Sequence, residues 1–116
     1  MIRAIKIYDL LHKRVLVTRE SAKAIGGALA IANDQGEVVL DFTGVDAVTP
    51  SFVDEALAVV EKAVRANGQN QIRVVFLHPP TRLSTKFEAI GRGRGLRIKE
   101  SEDGGWIITR EEQSQA

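Results

Sequence analysis

Two short and almost uninterrupted apolar runs constrain the fold of this chain most strongly. They are EVVLDF at residues 37–42 and IRVVFL at residues 72–77, and such runs, rich in β-branched residues, are typical of buried strands. Between them, residues 50–67 repeat apolar side chains every three or four positions, which predicts a helix with one buried face. We expect the first run to be a central parallel strand that is covered on both faces.

Further strands and helices flank this unit. Strands are predicted at residues 2–8, at an edge or with one solvated face, and at 14–18, and helices are predicted at 19–33 and 81–91. The segments LRIKE and WIITR flank Ser-Glu-Asp-Gly-Gly, which predicts a β-hairpin. The order of elements predicts an α/β fold, with a mixed, mostly parallel sheet, about three helices and a C-terminal β-hairpin.

The first two of these long helices have recognisable starts. Thr18 and Thr49 are candidate N-caps, because a threonine hydroxyl can accept a hydrogen bond from a free amide of the first turn. Pro50 suits the first helical position. Gly26 and Gly27 lie inside the first long helix, where each costs about 1 kcal/mol relative to alanine. We expect close approach of this helix to the sheet to compensate for that cost.

Length and composition narrow the class of protein. The 116 residues suffice for one domain, which we place at residues 1–110 with a disordered tail at 111–116. The absence of cysteine excludes disulfides, thiolate metal sites and thiol catalysis. With 16 Lys and Arg against 15 Asp and Glu, the net charge of +1 provides no general attraction to nucleic acid or membranes. No apolar run approaches the ~20 residues of a bilayer span and no signal-peptide core is present, so a cytoplasmic protein is expected.

The stretch VVLDFTGVDAVTPSFVDEAL is the most specific motif in the chain. With the order of elements around it, it resembles the STAS domains of bacterial anti-sigma factor antagonists, and more closely the STAS-like family of unassigned function. The resemblance covers residues 14–100 in the order of elements, and its specific part is residues 38–57. It implies a STAS-like fold and a regulatory role in bacterial signalling, exerted by protein–protein interaction and not by catalysis.

In the antagonists, a strand-end aspartate precedes an aspartate-serine-serine-glycine segment, whose second serine is phosphorylated by a partner kinase. The resemblance places Asp41 at the strand end and Ser51 at the phosphorylated serine. Thr49, Pro50 and Phe52 stand where the antagonists have aspartate, serine and glycine. The resemblance therefore implies that Ser51 is a candidate phosphorylation site and that the partner is a histidine-kinase-like ATPase that phosphorylates serine.

A partner-binding surface is expected at the loop 43–49 and at the start of the second long helix. Asp54 and Glu55 are adjacent there and point about 100° apart on a helix, so they cannot act as a paired acid and base on one atom. Carboxylates in the first turns of a helix are also favourable for structural reasons, and contact with a partner is the alternative. The expected partner-binding residues are Asp41, Thr49, Ser51, Phe52, Asp54 and Glu55.

The segment 82–99 concentrates positive charge, with six Lys or Arg residues against Glu88 alone. Solvated arginines in a helix-to-strand turn are one interpretation, and a docking site for an anion or an acidic partner at Arg92, Arg94 and Arg97 is the other. The segment lacks the Gly-Lys-Ser/Thr of a phosphate loop and aromatic residues that stack bases. Weak nucleic-acid binding by this segment, and binding of a small anion or a nucleotide at a helix N-terminus, are kept as alternative functions.

The remaining chemically distinctive residues do not point to a reaction. His12 and His78 have no second ligand at metal-binding spacing, so no metal or other cofactor is expected. Trp106 is predicted to pack across the hairpin, opposite or near Ile98, and an exposed tryptophan that anchors a partner is the alternative.

Overall fold

The computed structural model describes residues 2–32, 37–66 and 73–110. Its strands are β1 (Ile2–Lys6), β2 (Val15–Leu16), β3 (Glu37–Asp41), β4 (Ala47–Val48), β5 (Arg73–Leu77), β6 (Leu96–Glu100) and β7 (Trp106–Arg110). Its helices are α1 (Ile7–Leu11), α2 (Arg19–Ala32), α3 (Pro50–Ala66) and α4 (Thr85–Gly93). From α2 to α4 the helices are separated by strands, as the sequence predicts.

Five strands form the main sheet, in the order β1-β3-β5-β7-β6. The first three pair in parallel, whereas β7 is antiparallel to both β5 and β6. Four of the five strands thus run in the same direction. The mixed, mostly parallel sheet, the edge position of β1 and the C-terminal hairpin are all confirmed.

The starts of α2 and α3 are confirmed at their N-caps. The Ser21 amide donates to Oγ1 of Thr18 at 3.2 Å, and the Phe52 amide donates to Oγ1 of Thr49 at 3.3 Å. The predicted apolar stripe of α3 is also confirmed, because one side of the helix is buried in the core. The buried residues of α3 are Phe52, Val53, Ala56, Leu57, Val60 and Val64.

The prediction that the glycines of α2 allow close approach to the sheet is wrong. A Cβ atom placed on Gly26 would lie 3.3 Å from a methyl group of Val59. The close approach is therefore between α2 and α3. A Cβ on Gly27 would meet no atom of the described residues within 4 Å, so no packing constraint in this part of the chain requires glycine there.

The third predicted helix, α4, is displaced toward the C-terminus. It begins at Thr85 and not at residue 81, because Ser84 is its N-cap and accepts a hydrogen bond from the Phe87 amide at 3.4 Å. It also continues to Gly93, although the sequence predicts that GRGRG ends it. Gly91 lies inside the helix, where it packs directly against Ile98 of β6.

The N-terminal part contains two elements that the sequence does not predict. The chain leaves β1 after Lys6 and forms the short helix α1, which buries Ile7. This helix ends at His12, whose left-handed conformation lets its amide donate to the Tyr8 carbonyl at 2.7 Å. The second unpredicted element, β4, pairs in parallel with β2, which is shorter than predicted and lies outside the main sheet.

The hydrophobic core lies on one face of the main sheet. Val38 and Leu40 of β3 and Phe76 of β5 point into it and are at most 2% exposed. Val39 points to the other face, is only half-buried and does not pack against the core cluster. The prediction that β3 is covered on both faces is therefore wrong for the part of the chain that the structure describes.

Trp106 is a core residue, as predicted. Its side chain is 1% exposed, and its ring centroid lies 5.4 Å from that of Phe76 and 5.5 Å from that of Phe87. Its neighbour across the hairpin is Glu100, whereas Ile98 pairs with Ile108. The tryptophan therefore joins β5, β7 and α4.

Three sequence predictions lie outside the described residues. They are the turn at 33–36 after α2, the end of the second long helix at Asn67 and Gly68, and the disordered tail at 111–116. Within the described ranges, none of the helices combines the length and the apolar character that crossing a membrane requires.

Candidate docking surface

Thr49 fixes the start of α3 against the neighbouring strand β2. Its hydroxyl donates to the Val17 carbonyl at 2.9 Å and accepts from the Phe52 amide at 3.3 Å, while its own amide donates to the Leu16 carbonyl at 3.0 Å. The side chain that caps the helix therefore also ties it to the chain that follows β2. Because of this double role, the first turn of α3 has a defined position at the surface.

Ser51 lies in that first turn and its side chain is exposed. It follows the cap Thr49 by two residues, where backbone amides lack carbonyl partners within the helix. Unpaired amides and the positive end of the helix dipole favour negative charge at this position. The geometry is therefore compatible with a phosphate on Ser51 without unfolding of α3.

Phe52, the next predicted partner-binding residue, is not available at the surface. Its side chain is 1% exposed and belongs to the core cluster. The apolar stripe of α3 already contained the signal for this burial, since Phe52 precedes Ala56 by one helical turn. Phe52 positions the helix and is left out of the docking surface.

The carboxylates of Asp54 and Glu55 both form ion pairs with Arg19 of the same chain. Oδ2 of Asp54 lies 2.8 Å from Nη1 of Arg19, and Oε1 of Glu55 lies 3.5 Å from the same nitrogen. Oδ1 of Asp54 also accepts from Nη2 of Arg94 at 3.0 Å, and Arg94 reaches Glu61 at 3.6 Å. This ion-pair network joins the starts of α2 and α3 to the end of α4.

The ion-pair network lowers the pKa of Asp54, the carboxyl group at its centre. The hydrogen bond from Arg19 lowers the pKa of Asp54 below its usual value of 3.8, burial opposes this effect, and Arg94 lowers the pKa further. The same bond from Asp54 raises the pKa of the Arg19 guanidinium. Both groups are therefore charged at neutral pH, and each stabilises the charge of the other.

Asp41 lies at the end of β3, where it organises the next loop. Its Oδ1 accepts from the Thr43 amide at 2.9 Å and from the Thr43 hydroxyl at 2.6 Å, and Nδ1 of His78 lies 3.8 Å away. Partial burial works to raise the pKa of this carboxyl, but the hydrogen bonds from Thr43 and the nearby His78 and Lys6 bring the pKa below its usual value. Asp41 is thus an ionised acceptor that fixes the start of the loop 43–49.

Exposed apolar side chains border this loop, and they are not among the predicted partner-binding residues. Val15 and Val17 flank the buried Leu16 and are about half exposed, and Val15 pairs with Ala47, which is also exposed. Tyr8 is 37% exposed and packs beside Gly44, whose φ of +93° favours glycine. We define the docking surface as the exposed side chains of Tyr8, Val15, Val17, Ala47 and Ser51. The signal for the two valines was the alternation in RVLVT, which buries only the central leucine.

Of the three arginines predicted to form an anion patch, Arg92 and Arg97 line one pocket, whereas Arg94 lies beside Asp54 and Glu61. Arg94 is held by Asp54 and Glu61, and Arg92 pairs with Glu88 at 3.0 Å. Arg97 is exposed on β6, where it lines a shallow pocket of about 190 Å³ together with Arg92 and Glu88. Two of the six cations of this segment, Arg92 and Arg94, are thus paired with carboxylates of the same chain.

Part of the chain matches a known family model. Residues 28–77 match the model of a family described as a STAS-like domain of unknown function. This segment is STAS-like. It runs from α2 through the end of β5, so the STAS-like segment includes Asp41, Ser51 and the acidic pair of α3. No curated protein and no solved structure matches the chain significantly.

No candidate metal site accompanies these residues. Among the described residues, no group of three or more histidine, aspartate or glutamate side chains is arranged to hold a metal ion. His78 lies near Asp41 and Thr43, with Nδ1 at 3.2 Å from the threonine hydroxyl, whereas His12 is exposed at the end of α1. Of the two histidines, His78 thus lies beside the start of the loop 43–49.

Proposed function

We propose that this domain is a cytoplasmic bacterial signalling module that binds a protein partner through the docking surface and does not act as an enzyme. The observation that carries the proposal is the position of its exposed apolar side chains. Tyr8, Val15 and Val17 lie beside the loop and the helix start that hold Ser51. Apolar side chains exposed together favour a protein interface, and the resemblance of residues 38–57 to the anti-sigma factor antagonists motivates a regulatory role for it.

Phosphorylation of Ser51 would switch this interface. A phosphate adds between about −1.5 and −2 charges to the exposed start of α3, and carboxylates of Asp54 and Glu55 lie one turn further along the same helix. An acidic partner would be repelled by the added charge. The kinase that fits this scheme is a histidine-kinase-like ATPase that phosphorylates serine, and the same protein is the proposed binding partner.

The decisive experiment combines phosphorylation with binding. We would purify the histidine-kinase-like ATPases of the host, incubate each with ATP and this chain, and locate phosphate by peptide mass spectrometry. The proposal expects one of them to bind the chain and to modify Ser51, with Ser51→Ala unmodified and still bound and Ser51→Asp no longer bound. Val17→Asp should weaken binding at least tenfold, whereas Arg82→Asp, on an exposed loop residue away from the surface, should not.

Two results would contradict the proposal. One is the absence of binding by any of these kinases, and the other is binding that Val17→Asp leaves unchanged. Stabilisation of the folded chain by inorganic phosphate or a nucleotide in a thermal-shift assay, without any protein partner, would favour the anion-binding alternative.

A further inference from the structure

The small sheet of β2 and β4 has an open edge along β2. Among the described residues, these two strands pair with each other and with no third strand. The Arg14 carbonyl accepts from the Ala47 amide at 3.3 Å, and the Leu16 carbonyl accepts from the Thr49 amide at 3.0 Å. Both carbonyls therefore point toward β4, and the other edge of β2 faces away from it.

Three backbone groups point to this outer edge. A carbonyl and the amide that follows it belong to one planar trans peptide and point in opposite directions. Because the carbonyls of residues 14 and 16 point toward β4, the Val15 and Val17 amides point away from it. The Val15 carbonyl does so too, since the parallel pairing directs the Leu16 amide of the same peptide to β4. Within the described ranges, no backbone hydrogen bond joins these three groups to another residue.

The side chains along this edge are apolar and exposed. Val15 is 48% exposed and Val17 is 50% exposed, and the alternation of a strand places both on one face. The exposed Ala47 is the neighbour of Val15 across the pair. Leu16, between the two valines, is fully buried in the core and holds β2 in this orientation. A strand laid beside β2 would therefore meet apolar side chains at alternate positions.

The edge of β2 differs from the two edges of the main sheet. The edge strand β6 carries the exposed charges of Arg97, Lys99 and Glu100, and the edge strand β1 contains Arg3 and Lys6. Charged side chains on an edge discourage the addition of another strand. Residues 15–17 contain neither a charge nor a proline, so β2 lacks this protection.

We propose that the docking surface binds an extended segment of the partner protein, which joins β2 as an additional strand beside Val15 and Val17. The inference rests on the proposed function, because it states how the docking surface contacts its partner. Backbone hydrogen bonds to the three free groups provide affinity, and apolar side chains at alternate positions of the segment pack against the valines. The amides and carbonyls of a helix bond within the helix, so an extended backbone is the occupant that matches this edge.

Amide exchange of the wild-type chain, followed by NMR, tests the free edge and its occupation. The partner is the histidine-kinase-like ATPase that binds the chain in the experiment above. In the free chain, the Val15 and Val17 amides should exchange faster than the Leu16 amide, which bonds to β4. In the complex, exchange at Val15 and Val17 should slow at least tenfold. Unchanged exchange at both amides in a complex that forms would overturn the proposal.

Val15→Pro tests the backbone hydrogen bonds directly. Proline removes an amide that the fold does not use, as edge strands tolerate, so the variant should fold and should bind the kinase at least tenfold more weakly. Val15→Thr changes the same side chain but keeps the amide, so it should retain most of the affinity that Val15→Pro loses. Arg82→Pro, on an exposed loop residue away from the docking surface, should bind like the wild type. Far-UV circular dichroism establishes that each variant is folded.

The outcomes separate this inference from the proposed function. Binding that Val17→Asp weakens and Val15→Pro leaves unchanged would preserve the proposed function and overturn the added strand. Absence of binding by every kinase would overturn both. Sedimentation velocity at about 500 μM tests the competing occupant, a second copy of this chain. Self-association of the wild type that Val15→Pro abolishes would assign the edge to that copy and overturn the proposal.

Discussion

Gly91 leaves no room for a side chain, and this can be tested directly. A Cβ atom at this position would overlap Cδ1 of Ile98 and lie 2.9 Å from its Cγ1, and Ile98 is itself buried. We expect Gly91→Ala to lower the free energy of unfolding by about 1 to 3 kcal/mol, as overpacking of a core does. Denaturant unfolding monitored by circular dichroism measures the change.

Two further variants test the cause of that loss. Gly93→Ala, in the same helix with no described atom within 4 Å of the new Cβ, should not destabilise the domain, because alanine favours helix. Ile98→Val removes the overlapping methyl group, so the double variant with Gly91→Ala should lose less stability than the sum of the single variants. Additive losses would show that Ile98 is not the cause.

Asp54 makes the stability of the domain depend on pH. Its folded pKa lies below the ordinary value of 3.8, chiefly because of Arg19, so its contribution is complete above that value and is lost as the pH falls through the folded pKa. We expect Asp54→Asn to cost about 1 kcal/mol at pH 7, as two partly exposed ion pairs suggest. The difference from the wild type should shrink toward pH 2, which unfolding curves at both pH values would measure.

The exposed ion pair between Asp46 and Arg14 is the control for the Asp54→Asn prediction. Both side chains are more than 60% exposed and their charged atoms are 3.8 Å apart. Asp46→Asn should therefore change stability by less than about 0.5 kcal/mol. A loss as large as that of Asp54→Asn would mean that the network around Arg19 and Arg94 stabilises the fold no more than an exposed ion pair does.

At the scale of elements, Thr49 joins α3 to the chain after β2. Thr49→Ala removes the bond to the Phe52 amide and the bond to the Val17 carbonyl. We expect a loss of about 1 to 2 kcal/mol in the free energy of unfolding, at the upper end for an N-cap. Thr49→Ser keeps the hydroxyl and should retain most of this stability.

The cap of α2 is the matched comparison for this prediction. The Thr18 hydroxyl accepts from the Ser21 amide and lies 3.1 Å from the Ser21 hydroxyl, within its own helix start. Thr18→Ala should therefore cost about 1 kcal/mol, less than Thr49→Ala. Equal losses would contradict a structural role for the bond from the Thr49 hydroxyl to the Val17 carbonyl.

For the whole molecule, Trp106 reports the integrity of the core. It is the one tryptophan of the chain, and it packs between β5 and α4 in a single hydrophobic cluster. We expect its fluorescence and the far-UV circular dichroism to change together in one cooperative unfolding transition. Separate midpoints for the two signals would show that the hairpin unfolds independently of the helices.

The sequence alone predicted the elements that depend only on residues close together in the chain. The strands β3 and β5, the helices α2 and α3 and the terminal hairpin follow from apolar periodicity and turn residues over short windows. The caps Thr18 and Thr49 also follow, because a cap bonds to an amide only a few residues away. The motif around Asp41 and Ser51 was equally local, and it led to the STAS-like family.

Only the tertiary structure determined which of these elements and side chains contact one another. Asp54 lies 35 residues from Arg19 and 40 residues from Arg94 in the sequence, so no local pattern could assign its partners. The pairing of β2 with β4 and the open face of the main sheet depend likewise on contacts between distant segments. Periodicity states which side chains share a face, but burial depends on what the rest of the chain brings against that face.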